Sequence, residues 1–133
     1  MENQFHILCM PGGGMSKSYF ELGEPGGRHN FADAMRARGV DVDLLDQPGI
    51  GVPNGDGLGI DSDPRMAAEV HAAHARTMRH PGCHLIGVGH SMGGMSIVLA
   101  EAAGAGFDAI VLMGANADGV EAALLDHERP YVD

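Results

Sequence analysis

The residues best equipped for chemistry stand together at Gly89-His90-Ser91-Met92-Gly93, a Gly-x-Ser-x-Gly pattern. An apolar run of strand type precedes it and a helical pattern follows it, which is the context a nucleophile elbow requires. A turn that sharp holds its central residue in strained backbone geometry. Glycine on either side leaves no side chain to collide with the neighbouring strand and helix. The Ser91 hydroxyl would then stand at a helix N-terminus, where the Met92 N–H and the helix dipole stabilise negative charge developing on a carbonyl oxygen. A second donor is expected from Pro11-Gly12-Gly13-Gly14, which follows the first apolar run, with Gly13 or Gly14 donating.

The elements that must position these groups alternate in type. Strand-like runs at residues 5–10, 40–45, 83–88 and 107–113 are separated by segments of helical period, the signature of βαβ units and an α/β fold with a parallel sheet. Asn30, with Asp33 three residues on, predicts an N-cap for a helix whose Phe31, Ala34 and Met35 share a face and which stops at Gly39. Asp63 and Pro64 predict the start of a second helix that packs through Met66, Val70, Ala73 and Thr77 and ends at His80-Pro81-Gly82. The turn at residues 89–94 feeds a third helix to about Ala103, and residues 120–125 form a short amphipathic stretch. Residues 51–61, rich in glycine and without a packing stripe, are expected to be a mobile surface loop.

Composition narrows the function classes. The 133 residues make one domain, and 44% hydrophobic residues suffice for a real core. Eight Lys and Arg against 18 Asp and Glu leave a net charge of -10, with Lys17 as the single lysine, so nucleic acid and anionic membrane surfaces are poor partners. The 21 glycines show no fixed period and mark turns. Cys9 and Cys83 sit in apolar runs and are expected to be buried free thiols, and the lack of an N-terminal signal pattern or a bilayer-length apolar run leads to an expected cytoplasmic location.

Four motifs in order, namely the glycine turn at 11–14, Asp46-Gln47-Pro48-Gly49-Ile50-Gly51, the Ser91 elbow and the strand at 109–113, make the chain resemble the α/β-hydrolase superfamily over nearly its whole length. Gly12-Gly13-Gly14-Met15-Ser16-Lys17-Ser18-Tyr19 with Gly26-Gly27-Arg28 is similar to the esterase 713-like branch of bacterial esterases, although Pro11 stands where that branch usually has His. The resemblance implies a three-layer unit of at least four parallel strands, in spatial order second, first, third, fourth. It also implies a serine hydrolase acting on an ester or related acyl compound, with a small-molecule acyl substrate and no cofactor or metal. In the superfamily the acid and then the histidine follow the nucleophile. On that pattern Asp118 and His127 are the candidates, His127 being the single histidine after Ser91. Relative to the superfamily the chain resembles strands three to six, so a catalytic histidine beyond residue 133 is expected, and strand 107–113 would be an uncovered edge inviting a homodimer.

Other readings of the same residues compete. Asp118 before Gly119 would serve as a helix cap, and His127 beside Glu128 and Arg129 as an exposed terminal histidine. Gly87-Val88-Gly89 with Gly93 imitates a dinucleotide fingerprint, which needs an acid at the end of the next strand, whereas Asp108 is at its start. His71, His74, His80 and His84 invite a metal, but their spacing matches no zinc motif, and His71 is expected at the surface. Asp46 is expected to hold the turn through Gly49. His90 is expected to be structural or pocket-lining, and Tyr19 and Phe20 either line an acyl pocket or anchor their loop. A non-catalytic binding protein built on a hydrolase scaffold is the rival from another class.

Overall fold

A computed structural model describes residues 4–50, 58–59 and 62–115. The expected mobile loop at 51–61, apart from residues 58–59, and the expected amphipathic stretch at 120–125 lie outside the described residues. Four parallel strands, β1 (Phe5–Met10), β2 (Val40–Leu44), β3 (His84–His90) and β4 (Ala109–Met113), form one sheet in the order β2-β1-β3-β4, the expected arrangement. The chain moves outward from β1 to β2 and then crosses to the other side of β1 for β3. The reversal opens a crevice at the carboxyl ends of β1 and β3, where ligands of open parallel sheets sit.

Side-chain alternation divides the core into two layers. Leu8 of β1 and Leu85 of β3 join Ala72, Ala75, Met78 and Ala100 on the face covered by α2 (Pro64–Thr77) and α3 (Met92–Ala102). Ile7, Cys9, Val42 and Val88 pack on the other face with Phe20 and Ala32, which come from a short 3-10 helix at Lys17–Glu21 and from α1 (Phe31–Arg36). Covering both faces is what an all-parallel sheet demands. Both cysteines are buried free thiols, and burial pushes the Cys9 thiol from 9.0 up to about 12, against a smaller opposing pull from Arg36.

The predicted caps form. The Asn30 side chain accepts the Asp33 N–H at 3.0 Å and Asp63 accepts the Arg65 N–H at 2.9 Å, each satisfying a donor that the first helical turn leaves over. The packing face of α2 differs from the expected one. Met66, Ala73 and Thr77 are exposed and Val70 is half-buried, while Ala67, Ala68, His71, Ala72 and Ala75 face inward. The small Ala72 and Ala75 let α2 lie close against α3 and the sheet, and this gain in close contact outweighs burying the larger Met66. Within α1, similarly, Ala32 is the buried residue and Phe31 remains 38% exposed.

Candidate active site

Ser91 is the entire connection between β3 and α3. The strand runs on to His90, beyond the expected end at 88, and the helix begins at Met92, earlier than the 89–94 turn implied. Compressing the turn to one residue requires an unusual backbone. Ser91 has φ 51° and ψ -119°, and it is the single non-glycine residue with positive φ among the described residues. Its N–H is bonded to the Met113 carbonyl of β4 at 2.8 Å, and its carbonyl receives the N–H groups of Gly94 at 2.9 Å and Met95 at 3.3 Å. The strained residue is therefore anchored from both sides.

The flanking glycines are steric requirements. A Cβ at Gly89 would come within 2.4 Å of the Gly93 carbonyl oxygen, and one at Gly93 within 2.1 Å of the Met10 carbonyl oxygen. Backbone thus meets backbone where α3 crosses the carboxyl ends of β1 and β3. Because the first hydrogen bonds of α3 are donated by Gly94 and Met95, the Met92 N–H precedes the helical ladder and is available to a ligand.

The glycine turn lies beside this helix end. Met15 donates to the Gly12 carbonyl at 3.1 Å, closing a tight turn that leaves the Gly13 and Gly14 N–H groups outside its hydrogen bond. Gly13 packs against Met92, where an added Cβ would touch the Met92 Cε at 3.0 Å, and Gly14 adopts φ 72°. Ser91, Met92, Gly13 and Gly14 are all solvent-exposed, whereas Pro11, Gly12 and Gly93 beneath them are buried. An exposed hydroxyl and two sources of free N–H thus share one rim, the arrangement that acyl transfer needs.

A bridge centred on the buried Gln47 connects the glycine turn to α3; Gln47 lies in the 46–51 motif, but that motif does not announce its partners. The Gln47 amide nitrogen donates to the Pro11 carbonyl at 3.4 Å and to the Ser96 hydroxyl at 3.0 Å, and Ser96 in turn donates to the Met92 carbonyl at 3.1 Å. The position of Gln47, next to Asp46 after β2, was the available signal, but its partners are 36 and 49 residues away in sequence. Asp46 also reaches beyond the turn that follows it. Buried to 1% exposure, it accepts the Lys17 N–H at 2.6 Å and so tethers the 3-10 helix; the turn after it closes through Ile50 N–H on the Gln47 carbonyl.

Across the chain, a scan of protein-family models matches residues 7–132 to a model described as the alpha/beta hydrolase family. The chain belongs to the alpha/beta hydrolase family. No curated protein matches it. Membership agrees with the sheet order and with a positive-φ serine between β3 and α3.

Other candidate residues of this alpha/beta hydrolase fall into place around that frame. Phe20 is buried in the core, and Tyr19 stacks on His90 with ring centroids 5.1 Å apart and planes 15° from parallel. His90 is held between Tyr19 and Gly12, where an added Cβ would stand 3.0 Å from its Nδ1. Asp108 precedes β4 and accepts the Leu85 N–H at 2.8 Å; this bond, with Arg79 alongside, lowers its carboxyl below the usual 3.8 and occupies it structurally. His71 corrects the expectation of a surface residue, being 2% exposed. His74 instead pairs with Asp43 at 3.4 Å, and His84 packs against Phe5. No group of three or more His, Cys, Asp or Glu that could hold a metal occurs among the described residues, and no helix there is long and apolar enough to cross a membrane. Asp118 and His127 lie outside the described residues.

Proposed function

We propose that this alpha/beta hydrolase is a serine hydrolase of carboxylic esters or closely related acyl compounds. The observation that carries the proposal is the single-residue elbow at Ser91, with φ 51°, set against a glycine turn whose Gly13 touches Met92. Ser91 Oγ attacks the substrate carbonyl carbon as its proton passes to a general base. The carbonyl oxygen becomes an oxyanion that receives the N–H of Met92 and that of Gly13 or Gly14. Collapse of this intermediate breaks the ester C–O bond, the alcohol leaves with the proton from the base, and an acyl-Ser91 remains. Water, deprotonated by the same base, then releases the carboxylic acid and restores the serine.

His127 is the base to test first and Asp118 the acid that would orient it, on the superfamily's chain order. His90 is a poorer candidate, because its ring is stacked on Tyr19 and held beside Gly12. The test is incubation of the purified chain with a fluorophosphonate probe, read by intact mass and by the labelled peptide. Stoichiometric modification of Ser91, lost in Ser91→Ala, would show an activated nucleophile assembled within these residues, and strong slowing in His127→Ala would then assign the base to His127. A folded chain that resists labelling would mean that no activated nucleophile is assembled within these residues, because the base lies beyond residue 133, as the resemblance implies, or because the protein is a non-catalytic binding scaffold.

A further inference from the structure

A cavity of about 530 Å³ opens between α2 and α3, and its wall includes Gly14 and Met92, the proposed oxyanion donors. We propose that it receives the unbranched hydrocarbon chain of the substrate, so that the preferred ester carries a medium-length aliphatic acyl group. The word ester rests on the serine hydrolase proposal; the affinity for a hydrocarbon chain does not.

Three observations support this occupant. First, the volume falls within the roughly 300–1,000 Å³ range of small-molecule sites. Second, α3 presents Met92, Met95 and Leu99 on the cavity side, and these large apolar residues are 52%, 36% and 39% exposed in the protein. An apolar stripe left in water inside a concavity is a surface that gains by covering. Its two methionines adapt their shape to a flexible chain. The opposite wall is formed in part by Ala67 and Ala68 of α2, whose small side chains do not fill the cavity, whereas the next turns of the helix pack into the core through Ala72 and Ala75.

Third, the polar groups at the wall offer little to a hydrophilic ligand. Gln47 and Ser96 bond to each other, to Pro11 and to Met92, and His71 is the single ionisable side chain among the described lining residues. The direction of the cavity also fits. Met92 and Leu99 are seven positions apart on one helix, about 10 Å along its axis, so a chain whose carbonyl lies at the Met92 and Gly14 end extends along α3 toward Leu99. The Ser91 side chain is not part of the wall. Chain binding and covalent reactivity are therefore separable.

The nine methionines provide the readout. With [13C-methyl]methionine-labelled protein, octanoate and butanoate are titrated and the methyl resonances followed. Octanoate is expected to shift Met92 and Met95 saturably, to leave Met35 on the other face of the sheet unmoved, and to bind at least about tenfold more tightly than butanoate. Burial of even two of its four additional methylenes, at roughly fourfold each, suffices for that ratio. Leu99→Trp should fill the cavity and weaken octanoate about tenfold or more, with an unchanged Met35 resonance certifying the fold. Ser91→Ala should bind octanoate as the parent does.

Equal affinity for the two acids would overturn the proposal, and so would shifts confined to methionines away from the cavity. If Leu99→Trp does not fold, the chain-length ratio and the methyl map in the parent protein still decide. Octanoate binding in a protein whose Ser91 resists fluorophosphonate would retain the hydrocarbon site and leave these residues without an activated nucleophile. Labelling of Ser91 without a preference for octanoate would do the reverse.

Discussion

At the scale of single residues, the site depends as much on side chains that are absent as on Ser91 itself. Gly93→Ala drives a methyl group to 2.1 Å from the Met10 carbonyl oxygen, and neither α3 nor β1 can withdraw without breaking the sheet-to-helix contact. We expect a loss of roughly 3 kcal/mol or more in urea denaturation, or failure to fold. Gly14→Ala is the informative contrast. Nothing lies within 4 Å of the added carbon, and the cost comes from φ 72° alone, so about 1–2 kcal/mol is expected. Equal costs at the two positions would show that close backbone approach is not what excludes a side chain at Gly93. The Gly-x-Ser-x-Gly pattern made Gly89 and Gly93 legible in the sequence, because the geometry it encodes is local. The bond from the Lys17 N–H to Asp46 was not legible at this scale, since Lys17 belongs to a short helix with no periodic signal.

At the scale of elements, the N-terminus of α3 and the turn after β1 must keep a fixed separation for their N–H groups to address one oxygen. Gln47, projecting from the loop after β2, holds Pro11 on one side and Ser96 on the other. Gln47→Leu preserves approximate volume but leaves the Pro11 carbonyl and the Ser96 hydroxyl without the amide. The expected results are a destabilisation of about 1–3 kcal/mol and a fall of roughly an order of magnitude or more in the fluorophosphonate labelling rate of Ser91. Gln47→Glu, whose carboxylate cannot donate to Pro11 and can hold Ser96 only by taking the hydroxyl proton now given to the Met92 carbonyl, should recover neither loss in full. If labelling is as fast in Gln47→Leu as in the parent, the bridge stabilises the fold without positioning the donors. Helix existence and caps were readable from Asn30, Asp63 and Pro64. The packing face of α2 was not, because a size-weighted reading favours Met66 and Val70, whereas close packing on α3 selects the alanines.

At the scale of the whole molecule, β4 is an edge strand among the described residues, with Ile110, Val111, Leu112 and Met113 between 36% and 47% exposed. A strand edge flanked by large exposed aliphatic side chains is a template for another strand. We expect concentration-dependent dimerisation or aggregation, with Val111→Lys shifting the molecule toward monomer in light scattering. A monomer for the parent protein at high concentration would count against strand pairing. A net charge of -10 opposes association at low ionic strength, so added salt should favour the dimer.

The alternation of strands and helices, the caps and the serine elbow followed from the sequence by itself, because each depends on interactions within a few residues, whereas the strand order was what the resemblance to the α/β-hydrolase superfamily implied. Glycine spacing reports steric exclusion directly, and four apolar runs separated by helical segments admit few parallel topologies. What only the tertiary structure decided involves partners distant in the chain: Gln47 between Pro11 and Ser96, Asp46 on Lys17, His71 turned inward, and Met92, Met95 and Leu99 lining a cavity opposite the alanines of α2. Such contacts depend on how closely two elements approach and at what rotation. That approach is set by the summed packing of the core, and no local pattern of residue types encodes it.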